Sequence, residues 1–231
     1  MYGRFINRYW LILVSELVLM FLITIMEKHH MLVVLFAVVM ILLSLLTIEI
    51  CFELKFLRAG SVISGAIAVI SGLVWLVPWL SPQSAYGMLL LASCAFSAFY
   101  SIAIIAIGKH VFMSTRATIN TITGSICIYL LIGICFAFVY NVLSMSLGGR
   151  FFLDGAPMHT EARLGMAGFK EFLYFSFSTL TTTGYGDIVP KDSLTRMMSY
   201  VEGILGSLYL AVVVAKLVGM YVTQNLRNQK L

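Results

Sequence analysis

The residues whose types and spacing could do chemistry lie together, in the run Phe172-Leu-Tyr-Phe-Ser-Phe-Ser-Thr-Leu-Thr-Thr-Thr-Gly-Tyr-Gly-Asp187. A cation that sheds its water in a narrow passage needs stacked rings of oxygens at hydration-shell distance, on a backbone that turns its carbonyls inward. Turning successive carbonyls the same way requires φ > 0 at alternating positions, and Gly184 and Gly186 supply it without a Cβ penalty. On this reading the carbonyls of Thr182, Thr183, Gly184 and Tyr185 form the cation sites, with the Thr182 hydroxyl at the inner end. Elsewhere no loop gathers a nucleophile, a base and an acid, so an enzyme is not expected.

Such a segment has to be held by elements that the rest of the chain must supply. Of the 231 residues 61% are hydrophobic and 11% charged, and the mean hydropathy is +0.99. A soluble domain of this size could not cover its surface with so little polarity, so the medium is a lipid bilayer. Six apolar runs reach spanning length: Trp10–Met26, Met31–Ile50, Val62–Leu80, Tyr86–Ile107, Ile122–Met145 and Leu194–Gln224. Between the last two, Phe169–Leu180 is too short to cross, and the Gly-rich segment that follows it predicts a re-entrant helix and loop.

The net charge of +5 does not point to nucleic acid, because the basic residues stand singly between apolar runs. Arg4, Arg8, Lys55, Arg58, Lys109, Arg116, Arg227 and Lys230 fall on one side of six alternating spans, which predicts cytoplasmic termini and a plasma-membrane (or bacterial inner-membrane) location. Trp10–Met26 runs into Glu27 and Lys28 with no small-residue cleavage site and reads as a retained span. Cys51, Cys94, Cys127 and Cys135 sit in or beside apolar runs, as small buried side chains rather than a disulfide or metal framework.

Thr182-Thr183-Gly184-Tyr185-Gly186-Asp187 resembles the selectivity filter of the potassium channel family, with Thr183 where the family usually has valine. The resemblance extends from about Ile122 to Val222: an aromatic-rich pore helix before the filter, Pro190 after it, and a long last helix with a central glycine. It implies an all-α membrane protein of six transmembrane helices, with a re-entrant pore helix and filter loop between the fifth and sixth. Residues 1–116 are then a four-helix unit and residues 117–231 a pore domain. The implied activity is passive K+ conduction by a homotetramer, with K+ at Thr182, Thr183, Gly184 and Tyr185 and no other cofactor. Thr181, Asp187, Tyr174 and Ser178 are the implied filter supports. Tyr174 and Ser178 stand where many relatives carry tryptophan and some bacterial ones glutamate. The alternative, a subunit of a potassium uptake transporter, would be expected to carry four degenerate filters in one chain, and this chain has one.

The last run is longer than a straight crossing needs, so it must tilt or bend, and Gly206 near its middle lowers the cost of a kink. Ser207, Leu210, Val214, Val218 and Val222 share one helical stripe. By the resemblance that stripe faces the pore, Ser207 and Leu210 lining a cavity and the valines forming an apolar gate that closes by dewetting. Alternatively the valines only pack against neighbouring helices. Tyr86–Ile107 contains no Lys or Arg, so the four-helix unit is not a voltage sensor and voltage dependence should be weak. Small residues at four-residue steps, Gly60-Ser64-Ala68-Gly72 and Ser93-Ser97-Ser101, predict close helix packing. Glu16 and Lys216 are expected to snorkel or find local partners, while Glu202 either braces the filter from behind or is simply a buried, hydrogen-bonded carboxyl.

Overall fold

The computed structural model describes residues 8–25, 39, 55–72, 82–115, 117–147, 151–157 and 166–228. Its helices are α1 (Arg8–Ile25), α2 (Lys55–Gly72), α3 (Pro82–Met113), α4 (Ile119–Leu147), α5 (Met166–Leu180) and α6 (Ser193–Asn228). Their starts follow from local chemistry. Thr118 caps α4, its Oγ1 accepting the Thr121 amide at 3.3 Å, and Asp192 caps α6, accepting the Thr195 amide at 3.4 Å and the Thr195 hydroxyl.

Among the described residues, three helices are long and apolar enough to cross a membrane, over Tyr86–Met113, Ile119–Ser146 and Ser193–Gln224. They correspond to the fourth, fifth and sixth apolar runs. The first run forms α1, whose apolar stretch Tyr9–Ile23 is shorter. The second run lies outside the described residues apart from Val39, as does the third beyond Gly72 and the expected domain boundary at residue 116.

The all-α expectation needs one correction. Phe151–Leu153 (β1), Ala156–Pro157 (β2) and Ile188–Pro190 (β3) form a three-stranded sheet in the order β2-β1-β3, both pairings antiparallel. Phe152 lies opposite Val189, so the strand leaving the glycine-rich segment is tied to the loop after α4. Strands this short have no period of their own, and pairing between distant residues creates them.

Helix α3 packs on α4, α2 on α3, α1 on α4, and α5 on both α4 and α6. Members of both predicted small-residue stripes lie in these seams. A Cβ on Gly60 would come within 3.1 Å of Ile102 Cδ1 of α3, and Ser93 of α3 accepts from Asn141 Nδ2 of α4 at 2.9 Å. Aromatic rings fill the space behind α5. Phe138 lies 4.3 Å from Phe169, and Tyr140 lies edge-on to Phe151 and Phe175 at 5.5 and 5.1 Å. Burial is uneven among the three long helices: 50% of the apolar window is covered in α3, 44% in α4 and only 11% in α6.

Candidate functional site

The site begins where α5 stops. Thr182 takes φ 57°, the left-handed residue just beyond a helix C-terminus. Its amide donates to Thr179 O at 3.0 Å, and the Thr183 amide reaches back to Ser178 O at 2.9 Å. These are the paired bonds of a Schellman cap, so the first residue of the glycine-rich segment is also the end of its supporting helix. A β-branched residue rarely adopts positive φ, a strain that persists only where surrounding bonds over-determine the backbone. Gly184 (φ 58°) and Gly186 (φ 83°) continue the alternation. The expectation from sequence covered the two glycines and missed Thr182, although a helix ending at Leu180 requires a left-handed residue close by.

The hydrogen bonds of this segment divide by polarity. Every amide from Thr181 to Tyr185 is committed backwards: to Phe177 O, Thr179 O, twice to Ser178 O, and finally to Ser178 Oγ at 3.4 Å. No described residue donates to the carbonyls of Thr182, Thr183, Gly184 or Tyr185. All the donors are thus turned into the protein, and four successive acceptors are left on a segment that is exposed in the single chain. Such a row of unpaired carbonyls can exchange for the waters of a cation.

The predicted supports surround this segment. Ser178 holds three of the five amides. The Thr181 hydroxyl donates to Phe177 O at 2.6 Å and lies 2.8 Å from the Thr183 hydroxyl. Tyr174 stacks on Tyr185 with ring centroids 5.8 Å apart, and Asp187 lies near its hydroxyl. Asp187 accepts from the Ile188 amide at 3.0 Å, and its carbonyl accepts from the Asp154 amide, which joins the segment to the sheet.

On α6, Leu210, Val214, Val218 and Val222 are 46%, 58%, 56% and 49% exposed, so the stripe is uncovered within one chain. Ser207 is exposed and returns its hydroxyl to Gly203 O at 2.9 Å. Helix α6 is continuous through Gly206, which is buried, and a Cβ there would collide with Leu180 O. The glycine therefore serves close approach to the end of α5, beyond the lower cost of kinking read from sequence.

Three charged residues find distinct environments. Glu202 is fully buried and accepts from Tyr140 Oη at 2.6 Å; Ser176 Oγ is its second contact. Sequence reading named neither partner, and at separations of 62 and 26 residues no local pattern could have. Lys216 has a local partner, as expected, donating to Val111 O at 3.1 Å and to Phe112 O at the end of α3, with the Phe112 ring 5.1 Å away. Glu16 does not snorkel. It is wholly buried, and neither carboxylate oxygen meets a partner among the described residues. Cys94, Cys127 and Cys135 are free thiols, with Cys51 outside the described residues.

Residues 126–223 match the model of the Ion channel family. The matched stretch takes in most of α4, all of α5, the carbonyl row and α6 as far as Thr223. This stretch is similar to an ion-channel domain. With the helices of spanning length, the likeness supports an ion-channel subunit set in a membrane, and not an enzyme. The channel domain covers less than half of the chain, and the first three described helices lie outside it. No curated protein and no solved structure matches the chain.

Proposed function

We propose that the protein is a potassium-selective channel subunit, that four copies surround one axis, and that Thr182–Gly186 is the filter. The observation that carries this reading is the split of the segment into committed amides and four free consecutive carbonyls. One chain offers one wall of such a passage, and rings of oxygens require several copies. The sparse covering of α6 supports assembly through that helix, since its apolar window is only 11% buried. K+ is the only ligand the site calls for, from a plasma or bacterial inner membrane with both termini cytoplasmic. Six spans and a re-entrant α5 complete the proposed topology. The valines of α6 form its gate, and the N-terminal helices form a supporting unit.

Purified protein in lipid tests this. Native mass measurement should give four chains. Under bi-ionic conditions the reversal potential should follow the K+ gradient, and comparable permeability to Na+ would overturn the assignment.

A further inference from the structure

Behind the carbonyl row, Glu202 of α6 meets Tyr140 of α4 and Ser176 of α5, and Ser176 in turn meets the backbone of α4 at Gly133. Three oxygen–oxygen contacts result: Tyr140 Oη to Glu202 Oε2 at 2.6 Å, Ser176 Oγ to Glu202 Oε1, and Ser176 Oγ to Gly133 O at 2.7 Å. Each needs one proton lying between its two oxygens. The two hydroxyls supply one proton each, and the Gly133 carbonyl supplies none. With an ionised carboxylate, one contact would press two lone pairs together inside the protein, where all of these groups are buried.

We propose that Glu202 is held as a neutral carboxylic acid and acts as a positioning residue for the filter. Tyr140 donates to Oε2, the acid donates from Oε1 to Ser176 Oγ, and the Ser176 hydroxyl donates to Gly133 O. Every contact is then a hydrogen bond, and the chain joins α4, α5 and α6. Both acid oxygens meet hydroxyls and not a basic side chain, so no counter-charge is needed. Ser176 stands two residues before Ser178, which holds the amides of Thr183, Gly184 and Tyr185. A shift of α5 about Ser176 therefore reaches the carbonyl row directly. A Cβ on Gly133 would meet Phe177 at 2.7 Å, so α4 and α5 are in close contact at this level.

The inference rests on the channel reading for its functional part and not for the proton. Glutamine can copy the neutral acid, its carbonyl accepting from Tyr140 and its amide donating to Ser176. Glu202→Gln should therefore keep the wild-type K+ over Na+ permeability ratio, while Glu202→Ala should lower it on the order of tenfold. If Gln is as damaging as Ala, the carboxylate is charged and the proposal fails. Infrared difference spectra of wild type against Glu202→Gln provide the independent arm, and need no conduction and no folded Ala variant. A protonated-carboxyl carbonyl band in the wild type, lost in Glu202→Gln, is the expected result; a carboxylate band lost instead overturns the proposal. Wild-type protein without K+ selectivity would refute the channel reading, and the infrared band would still decide the proton.

Discussion

At the scale of single residues, the carbonyl row is a matter of backbone conformation more than of packing. A Cβ on Gly184 would meet nothing within 4 Å, yet its φ is 58°. Alanine there fits the space and not the dihedral, at about 1–2 kcal/mol per copy. Gly184→Ala should therefore collapse K+ selectivity in bi-ionic recordings without any steric clash to relieve. Gly155 is the control, with φ 82° and equally open surroundings in the turn between β1 and β2. Gly155→Ala should carry a similar local penalty and leave the permeability ratio unchanged. Equal ratios for wild type and Gly184→Ala would mean that the alternation of φ is not what orders the row. The two glycines were legible in the sequence because only glycine takes this conformation freely. Thr182 was not, since its left-handed backbone comes from the helix cap and nothing in a threonine announces it.

At the scale of elements, the long apolar runs were the readable ones. The fourth, fifth and sixth apolar runs became α3, α4 and α6, and the short amphipathic stretch became α5, each with ends displaced by a few residues. The sheet stayed hidden because Phe151–Leu153 and Ile188–Pro190 are three residues each and exist only through pairing with other strands. On α6, the four-residue step from Val214 to Val218 to Val222 places the valines on a stripe that is about half exposed in one chain. If four such stripes converge, they form an apolar constriction that sheds water. Val218→Asp should wet it and raise the basal current at rest, and a charged thiol reagent should modify Val218→Cys faster in open channels. A single modification rate in all states, with no added current from the aspartate, would leave the filter as the only barrier.

At the scale of the whole molecule, we propose that the described N-terminal helices serve packing and do not move charge. Within Tyr86–Ile107 of α3 there is no Lys or Arg, and Lys109 and His110 stand only at its far end. A charge that crosses the full field gains about 2.3 kcal/mol per 100 mV, so a helix without charges cannot open a pore steeply with voltage. Open probability measured over a wide voltage range should vary shallowly, and a fast gating current of several charges per subunit would refute this.

Lys216 bears on whether the two parts of the chain are separable. Its ammonium donates to Val111 O and Phe112 O, carbonyls in the last turn of α3, the first of which also accepts the Ser114 amide at 3.3 Å. Cys127 adds a second tie, its thiol donating to Tyr9 O of α1 at 3.4 Å. Excising residues 117–231 would strip the lysine of both acceptors and leave a cation on an apolar helix. The matched stretch is therefore tied to a helix that the family match does not reach: α3 supplies the acceptors that solvate its Lys216 ammonium.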